Sequence, residues 1–192
     1  MTGGMICPPA LAAASTDLGP VFDEFAAALR VLVPFVRVTV SLYVPERDWL
    51  RMPYFSGPPL TAPPERFEGP RAGTVRGWVI DHGRPFIRRD TWREAEFAED
   101  ALLARAGIRA YLVLPLATEG RVIGTLNFGH AEPDTYTAEH VRLAQPVADQ
   151  LAVVLSRRQL FEETRRLAGQ LAETLQRALL PADLPQPPFT AV

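Results

Sequence analysis

Residues 108–129 read IRAYLVLPLATEGRVIGTLNFG, two apolar, β-prone runs (Ile108–Ala117 and Arg121–Gly129) joined by Thr118-Glu119-Gly120. A glycine-containing turn between two such runs marks a β-hairpin, so an antiparallel pair is the centre from which the rest is placed. A second strand signal lies upstream. Val36, Val38, Val40, Leu42 and Val44 alternate with Arg37, Thr39, Ser41 and Tyr43. Side chains alternate across a strand, so this run has one apolar and one mixed face. Pro45–Asp48 then turn the chain into Trp49–Phe55, a hairpin partner. Residues 56–70 are rich in proline, which cannot donate to a central ladder, and read as a surface loop.

Helical spacing fills the intervals. Ser15 or Thr16 caps a run with Val21, Phe22, Phe25, Ala28, Leu29 and Leu32 on one side, ended by Pro34. Thr74–His82 forms a second helix with Gly83 as its C-cap, followed by a short strand, Pro85–Arg88. Trp92–Ala106 reads as an acidic amphipathic helix closed by Gly107. Thr137 caps a long helix running to about residue 180, with a kink or local restart expected at Pro146. Sequential hairpins with helices gathered elsewhere give an antiparallel α+β domain, not a parallel α/β one. Residues 1–15, small and aperiodic, read as a flexible tail.

Composition excludes several function classes. The chain has 192 residues, 47% hydrophobic and 22% charged, with a net charge of −2. That balance offers no basic field for nucleic acid or for an anionic membrane. All 20 cationic side chains are arginine, interleaved with acids from Arg30 to Arg177. Cys7 stands alone, so neither an intrachain disulfide nor a thiolate metal cluster can form, and a cytoplasmic location is expected. The N-terminus lacks the basic n-region of a signal peptide, and no run is long enough to span a bilayer.

Gly73-Thr74-Val75-Arg76-Gly77-Trp78-Val79-Ile80, then Gly83-Arg84-Pro85-Phe86-Ile87 and Asp90, resembles the middle of GAF domains. Leu112-Val113-Leu114-Pro115-Leu116 followed by Gly120-Arg121-Val122-Ile123-Gly124-Thr125-Leu126 resembles the hairpin of that family. The resemblance covers roughly residues 17–156. It implies a sheet of five to six antiparallel strands, with the N- and C-terminal helices on one face. Loops and short helices would enclose a pocket on the other. A sensory or regulatory role at 16–156 is implied, with an output and dimerisation helix at 157–180 and no catalytic residues. Members bind cyclic nucleotides, bilins, haem, small metabolites or nothing known. Leu175-Gln176-Arg177-Ala178-Leu179-Leu180-Pro181 with Leu184-Pro185 resembles the junction into PPM-type serine/threonine phosphatases, so 181–192 is expected to begin such a domain. Its carboxylate-held metal ions would need segments that do not occur before Val192. The partners implied are a second copy, bound through the terminal helices, and that phosphatase; nucleic acid and membrane are not expected.

The candidate ligand residues are Arg37, Ser41, Tyr43, Trp78, Asp90, Phe97, Arg109, Tyr111 and Asn127. If the apolar face of the first strand packs on the helices, Arg37, Ser41 and Tyr43 face the pocket. Arg37 and Arg109 either neutralise an anionic ligand or pair with acids such as Glu65 and Glu96. Asp90 either meets a ligand or caps the helix after it. Trp78, Phe97 and Tyr111 either line an apolar cavity or fill the core. Asn127 occupies the Asn place of the cyclic-nucleotide motif, but Phe128 replaces its Lys, and His140 and Val141 stand where Asp-Glu would be. His82, His130 and His140 lack metal-ligand spacing and read as structural, so no metal and no cofactor is expected and any ligand is an unidentified small molecule. Leu160, Leu167, Leu171, Leu175 and Leu179 form a stripe on the last helix that either meets a second copy or folds back on its own domain.

Overall fold

The computed structural model describes residues 19–58 and 68–179. The expected tail, the Ser15 or Thr16 cap, Glu65 with most of the proline-rich loop, and residues 181–192 lie outside them. So do the side chains of Leu175 and Leu179.

The hairpin at 108–129 forms as its turn chemistry dictates. Strands β5 (Ala110–Thr118) and β6 (Arg121–His130) pair antiparallel, and Thr118 stands directly opposite Arg121. Glu119 and Gly120 between them both have positive φ, the handedness a two-residue hairpin loop requires. Strand β1 (Arg37–Val44) pairs with β6 on one side and with β2 (Trp49–Ser56) on the other. Two three-residue strands finish the edges, β3 (Glu68–Pro70) beside β2 and β4 (Phe86–Arg88) beside β5. The six-stranded order is β3-β2-β1-β6-β5-β4 and every pairing is antiparallel. Strand β3 falls inside the stretch expected to be loop. Proline is tolerated there because Pro70 lies on an outermost strand.

The two faces are covered differently. Helix α1 (Gly19–Leu29) buries Phe22, Phe25, Ala26 and Leu29, and the Phe22 ring meets Tyr54 of β2 at 5.7 Å. Phe35 meets Phe128 of β6 at 5.7 Å on the same face, where Val38, Val40, Leu112, Leu114 and Leu126 are fully buried. The part of the long helix α4 (Ala138–Leu179) that precedes Leu155 covers this outer face with α1, burying Ala144, Ala148 and Leu151. The chain divides into two compact units within α4: the first ends at Val154 and the second begins at Leu155. In the second unit the helix exposes Leu160, Phe161, Leu167 and Leu171. Arg158 reaches Glu162 at 2.7 Å and Arg166 reaches Glu163.

Helix α2 (Val75–His82) lies on the inner face. Its N-cap Thr74 accepts the Gly77 N–H at 2.9 Å and donates to the Arg71 carbonyl at 2.7 Å. Gly83, in the left-handed region, closes it. Val75 and Val79 pack on Tyr111 and Val113 of β5.

The expected helix over Trp92–Ala106 is mostly not one. Only α3 (Asp100–Arg105) is helical, ending in a Schellman arrangement. Gly107 N–H bonds the Ala104 carbonyl and Ile108 N–H bonds that of Leu103. Upstream, three backbone donors are taken by side chains: Asp90 accepts from Trp92, and Asp100 from both Glu96 and Phe97. Such local bonds compete with the helical ladder and here displace it.

Gly124 has a steric reason. A Cβ there would fall well inside contact distance of the Ser41 carbonyl oxygen and press on Leu42. Backbone cannot yield as a flexible side chain would, so Gly124→Ala should lower unfolding stability by about 1–3 kcal/mol, read by urea denaturation.

Candidate functional site

The mixed face of β1 turns toward α2, away from the terminal helices. Arg37 stands opposite Gly129 of β6, Thr39 opposite Asn127 and Ser41 opposite Thr125. Asn127 Nδ2 donates to Thr39 Oγ1 at 3.0 Å, to the Thr39 carbonyl at 3.2 Å and to Ser41 Oγ at 3.3 Å. From α2, Arg76 reaches Ser41 Oγ at 3.5 Å and lies 3.6 Å from Glu99. Glu99 Oε1 in turn accepts the Val75 N–H at 3.0 Å. A polar line therefore runs from Glu99 through α2 to the centre of the sheet.

Three oxygens along this line are buried with no hydrogen-bond partner: Glu99 Oε2, Asn127 Oδ1 and Thr125 Oγ1. An unsatisfied buried polar atom costs about 1–3 kcal/mol, so folded chains leave few of them. Burial pushes the Glu99 carboxyl above the usual carboxylate range, with Arg76 opposing. Burial likewise lowers Arg76, with Glu99 opposing. Arg37, 7% exposed, donates to the Pro58 carbonyl and lies over the Phe55 ring at 5.0 Å. Burial lowers its pKa as well.

Beside this line sits a second buried cluster whose groups satisfy one another. Asp100 has no exposed surface; it accepts from the Tyr111 hydroxyl at 2.7 Å and from Arg88 Nη2 at 3.2 Å. Arg88 also reaches Glu94 and Glu96, each at 3.2 Å. Burial works against the Arg88 charge, but Tyr111, Asp100 and Glu94 outweigh it and raise its pKa. Burial, with Asp100 accepting its proton, raises Tyr111. Around them Phe86 meets Trp78 at 5.4 Å and Phe97 at 5.3 Å, both edge-on, and Tyr111 at 6.2 Å.

The expected residues therefore separate into groups. Arg37, Ser41 and Asn127 share the polar line. Trp78, Phe97 and Tyr111 share the aromatic cluster, each packing on Phe86. Tyr43 lies apart, donating to Asp48 at 2.9 Å. Asp90 and Arg109 bind each other in a two-bond pair while Asp90 also caps Trp92, so both are engaged. The acid beside Arg109 is thus Asp90, because Glu96 is drawn to Arg88. On the last helix Glu162 pairs back to Arg158, not forward to Arg166. The histidines hold backbone: His82 Nδ1 donates to the Trp78 carbonyl, while His130 and His140 accept from the N–H groups of Glu132 and Thr137. No group of metal-ligating side chains occurs among the described residues.

Sequence reading did not single out Arg76, Glu99 or Thr125 for this site, nor Arg88 and Asp100 beside it. Thr125 was reachable, since it lies two residues from Asn127 and shares its strand face. Glu99 was hidden by the helix expected over it, whose periodicity gives its side chain no inward direction.

Tyr111→Phe removes the one donor to Asp100 Oδ1 and should cost about 1–3 kcal/mol in urea denaturation. Hydrogen bonding from Arg109 holds Asp90 below the usual carboxylate range. Its contribution to stability is present above that range and is lost as the pH falls through the depressed value. Asp90→Asn should therefore flatten the acid limb of a plot of Tm against pH.

Comparisons with known proteins agree with this fold. A search of curated proteins finds no match. Among solved structures, the GAF domain of a two-component sensor histidine kinase from Bacillus halodurans superposes with a TM-score of 0.66 at 19% identity, covering 78% of this chain and 99% of that one. The GAF domain of a phosphoenolpyruvate-protein phosphotransferase from Coxiella burnetii gives 0.66 at 14% identity, covering 78% and 89%. The free methionine-R-sulfoxide reductase of Neisseria meningitidis, solved with its substrate, gives 0.57 at 22% identity, covering 82% and 85%. Residues 15–156 match the family model described as GAF domain, and the chain belongs to that family.

Proposed function

We propose that this GAF domain is a sensor whose small-molecule ligand sits on the inner polar face, between the sheet, α2 and the segment before α3. The observation that carries this reading is the set of buried, unpartnered oxygens on Glu99, Asn127 and Thr125. Groups of that kind are stabilised by a ligand or ordered water that supplies their missing bonds. A bound ligand biases the protein only through its difference in affinity between two states, and the output travels along α4. The domain itself performs no catalysis. The target of regulation is a PPM-type serine/threonine phosphatase, a reading supported by the resemblance of residues 175–185 to the approach to such domains. The protein works in the cytoplasm, without nucleic-acid or membrane partners. No helix among the described residues is long and apolar enough to cross a membrane.

A second reading, a ligand-free dimerisation module, is favoured by the second unit of α4. Leu160, Leu167 and Leu171 are 59%, 52% and 61% exposed. Thr164 and Thr174 bond the carbonyls of Leu160 and Gln170, so their hydroxyls are satisfied within the helix. A seam of this kind suits a parallel pairing of two copies.

One experiment addresses both. The chain is purified and its mass followed by light scattering, while its Tm is recorded with metabolite and nucleotide pools. The sensor reading expects a dimer and a concentration-dependent rise in Tm with at least one pool. A dimer whose Tm no pool changes supports the second reading, and Leu167→Asn with Leu171→Asn should then give monomers.

A further inference from the structure

The three unpartnered oxygens share a chemical sense. An ionised Glu99 Oε2 and the amide Oδ1 of Asn127 only accept hydrogen bonds, and Thr125 Oγ1 is able to accept one. A partner that supplies N–H or O–H groups therefore answers all three. Asn127 and Thr125 are two residues apart on β6, and their β1 partners Thr39 and Ser41 both bond the Asn127 amide, so the acceptors lie together. Arg76 joins Glu99 to that group.

Charge on the same face runs the other way. Arg37 is buried, bonds a carbonyl oxygen, and has no carboxylate within ion-pair distance among the described residues. Among the described residues, the three groups Arg37, Arg76 and Glu99 carry one more cation than anion. Arg37 lies one pleat repeat, about 7 Å along β1, from the Thr39–Asn127 pair. A short molecule spans that gap.

We propose that the ligand is a short-chain carboxylate bearing hydroxyl or amino donors, its carboxylate at Arg37 and its donors at Asn127, Thr125 and Glu99. This rests on the sensor reading above. The carboxylate balances the surplus cation and the donors satisfy the three oxygens. An unsubstituted fatty acid answers only the first requirement, and a neutral polyol only the second.

The test is thermal unfolding of the full chain with matched probes at millimolar concentration. Glycerate, gluconate, serine and 4-aminobutyrate carry both features; propionate and hexanoate carry only the charge; glycerol and sorbitol carry only donors. At least one of the first group should raise Tm by an amount that grows with the logarithm of its concentration, and the others should leave it unchanged. Thr125→Val, which replaces an unpartnered hydroxyl by a methyl of similar shape, should unfold no earlier than the parent without ligand. It should bind that probe roughly tenfold more weakly. Arg37→Lys should keep part of the binding and Arg37→Met should abolish it. A Tm rise with a cyclic nucleotide or a metabolite extract but with none of the first group overturns this ligand class and leaves the sensor reading standing. Equal rises with propionate or glycerol, or undiminished binding in Thr125→Val, also overturn it. No rise with any probe or extract removes both.

Discussion

Arg88 and Asp100 are buried together, and neither charge would be tolerated there alone. Removing an ion from water costs several kcal/mol, and only close partners with well-placed hydrogen bonds offset that loss. Here Arg88 meets three carboxylates while Asp100 collects the Tyr111 hydroxyl and two backbone N–H groups. These contacts join β4, β5 and the stretch before α3. They hold 92–99 against the inner face although it has almost no regular secondary structure. Glu99, one residue before Asp100, is brought under α2 by the same anchoring.

The inner face thus holds two polar systems with opposite hydrogen-bond status. Around Arg88 the acceptors and donors are matched, as expected of a structural network whose members gain strength from low surrounding polarity. Around Asn127 they are not, and three acceptors remain over. In the proposed reading, the contrast separates scaffold from ligand site. The satisfied groups position the segment, which carries Glu99, while Asn127 and Thr125 stand on the sheet beyond α2.

Much of the fold was legible because it rests on short-range rules. The turn Glu119-Gly120, the alternation from Arg37 to Val44 and the cap at Gly83 each depend on a few neighbouring residues, and each forms where those residues stand. The stretch 92–99 failed for the complementary reason. Its helical spacing is real, but the groups that override it, Arg88 and Tyr111, come from other strands. Site residues divided in the same way. Alternation along one strand placed Arg37 and Ser41 together on the mixed face, whereas pairing Asp90 with Arg109 and Glu96 with Arg88 needed the sheet register. Strand β3 was hidden by its prolines, which argue against a central strand but say nothing against an edge.

Those edges have a consequence for how copies of the protein can meet. Open sheet margins invite neighbouring chains to add strands, and short or proline-bearing borders discourage it. Both margins of this sheet are three-residue strands, and one of them ends in Pro70, which has no N–H to offer. Growth of the sheet from molecule to molecule is thereby discouraged at both of these strands.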